Sequence, residues 1–188
     1  MKTHVLFIHG AGEGAYDEDK KLADSLQKAL GDDYNVVCPQ MPNGDNPEYA
    51  AWKAHIDKTL SSLDNADRVI FAGHSLGASV LLKYLTEAEA SIRESIVGIF
   101  LIAAPYWGAK DWEFEGFALR EDFADKLPIE TPIHIYHSRD DEWVPFSHLA
   151  LYREKLPQAS VREFDGRGHQ FNDDLSEVAV DIANLTIL

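Results

Sequence analysis

The sequence has very little cysteine and no long apolar run. Cys38 is the only cysteine among 188 residues, so an intrachain disulfide is impossible and a reducing compartment is favoured. The longest apolar stretch, residues 96–104, is about half as long as a membrane-spanning helix. The N-terminal run at residues 5–8 is too short for the core of a signal peptide. We therefore expect a cytoplasmic protein that does not bind a membrane.

Basic residues are also scarce. Lysine and arginine number 17 against 32 aspartates and glutamates, which gives a formal net charge of −15. Because such a surface repels phosphate backbones and anionic lipid headgroups, the composition predicts no nucleic-acid partner. Solubility alone would also explain the charge.

The common motifs of metal and nucleotide chemistry are absent as well. Neither H-E-x-x-H nor C-x-x-C occurs, and the eight histidines are scattered over different predicted elements, so we expect no metal and no cofactor. Gly10, Gly12 and Gly14 follow the first predicted strand. They do not form G-x-G-x-x-G, because the third glycine would fall at Ala15, and no Walker lysine is present. A phosphate-binding loop is therefore disfavoured.

Short apolar runs alternate with helical patterns along the chain. The run at residues 96–103 is apolar throughout, as expected of a parallel strand that is covered on both faces. Six β-α units with short connections predict an α/β fold with a minimal six-stranded, parallel, doubly wound sheet and helices on both faces. We expect one domain over residues 1–188. The predicted strands lie at residues 3–8, 35–38, 68–72, 96–103, 133–136 and 161–164.

One connection is much longer than the others. Residues 105–127 include Tyr106 and Trp107 together with further aromatic side chains. Long connections in α/β domains are usually functional. The segment is predicted to be either a lid over a site or an insertion that its aromatic side chains anchor to the body.

The sequence G-H-S-L-G at residues 73–77 lies between the third predicted strand and the helix that follows it. In that setting, G-x-S-x-G is typical of a nucleophile elbow, a sharp turn that lifts the serine clear of the sheet. The flanking glycines remove Cβ atoms that would clash in such a turn. Ser75 is therefore the predicted nucleophile. The alternative is a tight turn with an incidental serine.

A serine hydroxyl needs a base to remove its proton. His169 lies in the loop between the last predicted strand and the last helix, where this architecture holds the base. We predict His169 in this role, with His137 as the alternative. The acid that orients the base is expected after the fifth strand, where Asp140, Asp141 and Glu142 are adjacent, and their chemistry alone does not separate them.

The oxyanion of the reaction needs preorganised N–H donors. One is expected from the backbone of Leu76, directly after the nucleophile. The other is expected from the loop after the first strand. Ala11 is the predicted second donor, and Gly12 is the alternative.

Four segments together resemble the α/β-hydrolase superfamily. They are V-L-F-I-H-G at residues 5–10, the elbow at 73–77, D-D-E-W-V-P at 140–145 and G-R-G-H at 166–169. More narrowly, they resemble its small serine-hydrolase branch, which includes retinoblastoma-binding protein 9 and the bacterial YdeN-like proteins. The resemblance covers nearly the whole chain. It implies a Ser-Asp-His triad and, through a D-x-x-V-P segment, favours Asp141 over Asp140.

These observations predict a serine hydrolase that cleaves small-molecule carboxylic esters, or related acyl substrates, through an acyl-enzyme. We expect aromatic side chains to bind the substrate, namely Tyr106, Trp107 and Trp143. Carboxylates of the long connection would disfavour anionic leaving groups such as coenzyme A; these are Asp111, Glu113 and Glu115. The alternatives are an amidase, peptidase or thioesterase with the same triad, and a binding or scaffold protein on a hydrolase fold.

Overall fold

Six parallel strands form the sheet at the centre of the protein. The computed structural model describes residues 2–63, 68–110, 112–114, 116–128 and 130–185. The strands lie in the order β2-β1-β3-β4-β5-β6, and every neighbouring pair is parallel. The predicted six-stranded parallel sheet is confirmed. The strands are β1 (Thr3–Ile8), β2 (Tyr34–Val37), β3 (Val69–His74), β4 (Ile96–Ile102), β5 (Ile133–Ser138) and β6 (Ser160–Phe164).

Helices cover both faces of this sheet, as the sequence predicts. Helices α1 and α6 pack on one face, and α2, α3 and α5 pack on the other. Two short 3-10 helices lie at Phe123–Lys126 and Phe171–Asp173. The α-helices are α1 (Ala15–Leu30), α2 (Tyr49–Ser61), α3 (Leu76–Glu87), α4 (Ala90–Ser95), α5 (Ser147–Lys155) and α6 (Ser176–Ala183).

Burial on both faces explains why the central strands read as apolar runs. In β1, Leu6 and Ile8 join the core under α2 and α3, whereas Val5 and Phe7 join the core under α1 and α6. Successive side chains of a strand point to opposite faces, so a strand between two helical layers must be apolar at every position.

The helix boundaries differ from the sequence prediction at two places. The helical spacing of Leu22, Leu26 and Leu30 predicts a helix over these residues, but α1 already begins at Ala15. Its first two turns are mostly polar and therefore show no apolar periodicity. Asn46-Pro47, a capping residue followed by proline, predicts the start of the second helix, but α2 begins at Tyr49. The short helix α4 buries no residue, and the apolar pattern therefore did not predict it.

The long connection after β4 packs against α3. Within its described part, Phe117, Phe123 and Leu127 are buried in the core. The indole N–H of Trp107 donates to Ser79 Oγ over 3.0 Å. These contacts anchor the connection to the body of the protein, where it forms a wall beside the carboxyl ends of the strands.

The described residues lack two kinds of feature. No helix among them is long and apolar enough to cross a membrane. Nor do they contain a group of three or more histidine, cysteine, aspartate or glutamate side chains that could hold a metal ion.

Candidate active site

Ser75 occupies a strained turn between β3 and α3. Its φ is 52° and its ψ is −126°, a conformation that non-glycine residues rarely adopt. A Cβ atom at Gly73 would lie 2.7 Å from the backbone nitrogen of Ala78, and one at Gly77 would lie 2.1 Å from the carbonyl oxygen of Ile8. Both distances are too short for real Cβ atoms. Only glycine therefore fits on either side of Ser75, and the predicted elbow geometry is present.

His169 and Asp141 meet across the carboxyl ends of β5 and β6. His169 Nδ1 lies 3.0 Å from Asp141 Oδ1 and 2.9 Å from Asp141 Oδ2. An ionised carboxylate only accepts hydrogen bonds, so the histidine proton lies on Nδ1. His169 Nε2 then carries a free lone pair, and it has no hydrogen-bond partner among the residues that the structure describes.

The Asp141 side chain is fully buried. Burial by itself raises the pKa of this carboxyl, but hydrogen bonds from His137 and His169 and the charge of His169 hold the pKa well below its usual range. Its Oδ1 atom also accepts the backbone N–H groups of Trp143 and Val144, over 2.9 and 2.8 Å. Asp141 is therefore an ionised and rigidly held acceptor at neutral pH.

His137, the alternative base, lies on the far side of the same carboxylate. Its Nε2 donates to the carbonyl oxygen of Val144 over 3.0 Å and lies 3.3 Å from Asp141 Oδ2. The ring is buried and lines neither of the two cavities beside Ser75. This placement favours His169 over His137 as the partner of Ser75.

The three adjacent carboxylates each bind a different part of the loop that carries His169. Asp140 Oδ1 accepts the N–H groups of Gly166 and Gly168, over 3.0 and 3.3 Å. Glu142 Oε2 accepts the backbone N–H of His169 over 3.1 Å. Asp140 and Glu142 therefore anchor the loop backbone, whereas Asp141 contacts the imidazole.

Ser75 and His169 line one cavity of about 390 Å³. No hydrogen bond joins their side chains in the part of the chain that the structure describes. Hydrogen bonds between reacting groups are often long in the absence of substrate.

The backbone N–H groups of the loop after β1 are not equivalent. The N–H of Gly10 donates to Asp19 Oδ2 over 2.6 Å, and that of Gly12 donates to the carbonyl oxygen of Gly44 over 2.8 Å. The N–H of Ala11 has no acceptor in the described ranges. Of the two donors considered for this loop, Ala11 is therefore the one that is free.

Leu76 supplies a second free N–H group. It is the first residue of α3, so its N–H has no acceptor inside the helix. Leu76, Ala11 and Ser75 line the same cavity. An anion beside Ser75 Oγ would thus lie at the positive end of the helix dipole. The residues that carry both free N–H groups, Ala11 and Leu76, line the same cavity.

This second cavity is apolar and has a volume of about 180 Å³. It lies on the side of the long connection, and Trp107 is one of its lining residues. Trp143 lines both cavities and is 71% exposed, so it forms the ridge between them. Besides Ala11, Ser75 and Leu76, the apolar cavity is lined by Pro105, Trp107, Trp112, Phe114, Trp143 and Val144.

Tyr106 lines neither cavity, and its expected place in the substrate pocket is not supported. Its ring packs edge-on against Phe123 and Tyr152, with ring centroids 6.2 and 5.1 Å apart. Its backbone N–H donates to His148 Nδ1 over 2.8 Å. The turn after Pro105 thus sends Tyr106 into the body of the protein and Trp107 toward Ser75. Trp112 and Phe114, which belong to the same aromatic connection, supply further aromatic surface to the apolar cavity.

The sequence of the chain matches one known protein family. A model of the alpha/beta hydrolase family matches residues 5–177. The chain belongs to the alpha/beta hydrolase family. No curated protein matches the chain in sequence.

Several solved structures have a similar fold. A serine hydrolase involved in carbazole degradation superposes with a TM-score of 0.75 at 14% identity, over 97% of this chain and 90% of that chain. The ydeN gene product from B. subtilis gives 0.69 at 19% identity, over 98% of both chains. A thioesterase domain from the curacin biosynthetic pathway gives 0.70 at 15% identity, over 97% and 91%. The predicted resemblance to YdeN is confirmed at the level of the fold.

Sequence reasoning missed one buried residue of this hydrolase site. Asp19 lies on α1 beneath the loop that carries Ala11, and its carboxylate accepts the N–H of Gly10. The helical spacing with Leu22 and Leu26 places Asp19 on the buried face of α1. A carboxylate on an apolar helix face is the signal that could have found it.

Proposed function

We propose that this alpha/beta hydrolase cleaves carboxylic esters through an acyl-enzyme formed on Ser75. One observation carries the proposal. His169 lines a cavity together with Ser75 and donates a hydrogen bond to the buried Asp141 carboxylate. Ser75 Oγ attacks the ester carbonyl carbon while His169 Nε2 takes the hydroxyl proton. Asp141 holds the imidazole in the required tautomer and stabilises its charged form.

The tetrahedral intermediate then collapses. His169 returns the proton to the alkoxide as the bond between the carbonyl carbon and the leaving oxygen breaks, so the alcohol leaves neutral. Water next attacks the acyl carbon while His169 takes one of its protons. His169 then gives this proton to Ser75 Oγ as the bond between Oγ and the acyl carbon breaks and the acid product departs. The free N–H groups of Ala11 and Leu76 would bind the oxyanion in both halves of the reaction.

The size of the apolar cavity suggests the kind of acyl group. An engineered apolar cavity of about 150 Å³ holds a benzene molecule. The cavity of about 180 Å³ beside Ser75 therefore suits a short alkyl or a benzoyl group better than a long fatty acyl chain. Its walls of Trp107, Trp112 and Phe114 offer ring faces and edges to such a group.

Two measurements test this proposal. A fluorophosphonate probe is expected to label the wild-type protein at one site. Three benzoyl substrates would then be compared: a p-nitrophenyl ester, a thioester and a p-nitroanilide. We expect the ester to give the highest kcat/KM. An unlabelled protein that hydrolyses none of the three would contradict the proposal, and fastest cleavage of the anilide would make the protein an amidase.

The charge of the leaving group is also expected to matter. Glu13 and Glu18 line the larger of the two cavities, together with Ser75 and His169. Of the carboxylates that the sequence suggested for this effect, Asp111 and Glu115 lie outside the described residues. We expect acetyl-coenzyme A to be hydrolysed with a kcat/KM about 10-fold below that of a neutral acetyl thioester at low ionic strength.

The difference in kcat/KM between the two thioesters should become smaller as salt is added, because salt screens exposed charges. It should also narrow in the double variant Glu13→Gln/Glu18→Gln. A matched control is Asp32→Asn/Asp33→Asn, which removes the same charge between α1 and β2, remote from Ser75. Equal rates for the two thioesters at low salt would show that these carboxylates do not select the leaving group.

A further inference from the structure

A second histidine–aspartate pair lies directly behind Ser75. His74 is the last residue of β3, and Asp19 lies in the first half of α1. His74 Nδ1 is 2.8 Å from Asp19 Oδ2, and His74 Nε2 is 2.9 Å from the carbonyl oxygen of His169. The two side chains are only 2% and 3% exposed. Neither belongs to the three residues assigned to the reaction above.

The partners of His74 determine its protonation state. A carboxylate oxygen and a carbonyl oxygen only accept hydrogen bonds, so each contact needs a proton on the imidazole nitrogen that makes it. A neutral imidazole carries one such proton and would leave one buried contact unmade. The geometry therefore requires an imidazolium ring, and the Asp19 carboxylate supplies the charge that compensates it.

Asp19 uses both of its oxygens. Oδ2 accepts the backbone N–H of Gly10 over 2.6 Å in addition to the proton of His74, and Oδ1 accepts the side-chain amide of Gln170 over 2.7 Å. Gly10 precedes Ala11, His74 precedes Ser75, and Gln170 follows His169. The proposed N–H donor, nucleophile and base therefore lie on three different segments. The ion pair contacts each segment at the residue next to the proposed group.

The surroundings of His74 favour its charged form. Burial alone would lower the pKa of His74, but the charge and hydrogen bond of Asp19 raise it above the usual range, with smaller help from Asp141. His74 in turn helps to lower the pKa of Asp19 to about 2 despite burial. The His169 ring lies 4.6 Å away between centroids. His9, which directly follows β1, lies near the pair, and its Nε2 accepts the N–H of Met41, so that nitrogen carries no proton.

We propose that His74 and Asp19 form a buried ion pair that stays charged through neutral pH and holds Ala11, Ser75 and His169 in their reactive arrangement. Both are positioning residues, since they act through the backbone of Gly10 and His169 and through the turn at Ser75. The role in catalysis rests on the proposed ester hydrolase function. The charge state of the pair does not.

Nuclear magnetic resonance tests the charge state without any substrate. In ¹⁵N-labelled wild-type protein, both ring nitrogens of His74 are expected to carry protons at about pH 8, where an ordinary histidine is neutral. In Asp19→Asn, which removes the compensating charge, His74 is expected to titrate near neutral pH instead. A singly protonated His74 ring at that pH in the wild-type protein would overturn the proposal.

Kinetics test the positioning role. We expect Asp19→Asn to lower kcat for the p-nitrophenyl ester by about 100-fold with little change in KM, because small displacements of reacting groups are costly. The remaining activity should fall as the pH rises through neutral, as His74 loses its proton and its second hydrogen bond. The control is Asp17→Asn, an exposed position on the same helix, which should keep the wild-type rate and pH profile.

A merely structural role would predict a different result. It would lower the stability of Asp19→Asn without moving the pH profile of the folded fraction, and that outcome overturns the proposal. Asp19→Glu, which keeps the charge, should restore part of kcat. If Asp19→Asn does not fold, the NMR measurement on the wild-type protein still tests the charge state of His74. The kcat of Asp19→Glu then tests the positioning role. A wild-type protein that shows no probe labelling and no turnover would reject the hydrolase proposal instead.

Discussion

Ser75→Ala is expected to abolish labelling by a fluorophosphonate and to lower kcat for ester hydrolysis by about 10⁴-fold or more. Alanine removes the only atom that can form the acyl-enzyme, whereas the free N–H groups of Ala11 and Leu76 remain. Alanine has no group beyond Cβ, so the turn at Ser75 gains no new clash. Gel fluorescence after probe labelling and stopped-flow hydrolysis of a p-nitrophenyl ester would measure the two effects.

Ser79→Ala is the matched control for this variant. Ser79 lies one turn further along α3 and lines neither cavity beside Ser75. Its hydroxyl donates to the carbonyl oxygen of Leu76 and accepts the indole N–H of Trp107, so its loss leaves the nucleophile in place. It should keep the label, and peptide mass spectrometry should find the label on Ser75. Persistent labelling of Ser75→Ala would move the nucleophile to another residue.

Asp141→Asn is expected to lower kcat by about 10³- to 10⁴-fold while the protein stays folded. An amide at this position can donate to His169 Nδ1 and so stabilise the tautomer in which Nε2 carries the proton and cannot act as a base. The buried carboxylate also compensates the charge that His169 acquires during the reaction, and the neutral amide cannot. Steady-state hydrolysis and circular dichroism would separate lost turnover from lost folding.

Asp140→Asn distinguishes the two neighbouring aspartates. Asp140 is exposed, and its Oδ1 accepts from the backbone of Gly166 and Gly168, which an amide oxygen can also do. This variant should keep its turnover within about 10-fold of the wild type, because only the anchor of the loop is weakened. Larger loss in Asp140→Asn than in Asp141→Asn would reverse the assignment of the acid.

Much of the fold was predictable because the burial of a strand or helix imposes a local pattern of apolar residues on the sequence. Within β1, residues 5–8 lie between two helical layers, so these four side chains are constrained to be apolar, and the predicted and observed strands coincide at Thr3–Ile8. The start of α1 was not predictable in this way. Its first two turns are mostly polar, so they carry no apolar periodicity.

The arrangement of the proposed site residues was predictable only in part. The order of Ser75, Asp141 and His169 along the chain, together with their positions after strands, indicated three loops at one edge of a parallel sheet. The chemistry of residues 140–142 could not separate three adjacent carboxylates. Their hydrogen bonds do, since only Asp141 reaches the imidazole.

Aromatic residues show the same limit. The long connection indicated an apolar pocket, but the neighbours Tyr106 and Trp107 leave its backbone in different directions. Tyr106 enters the body of the protein, and Trp107 reaches the cavity beside Ser75. Which of two adjacent rings lines a pocket depends on backbone dihedral angles that the residue types do not specify.

The sequence by itself therefore determined the family, the parallel sheet and the elbow at Ser75, because each depends on residues that are close together along the chain. Only the tertiary structure decided which N–H groups are free and which histidine faces Ser75. It alone brought Asp19 to Gln170, across 151 residues, and beneath the elbow. A buried charge is stable only where the fold supplies donors from distant segments, and no local pattern records where those donors come from.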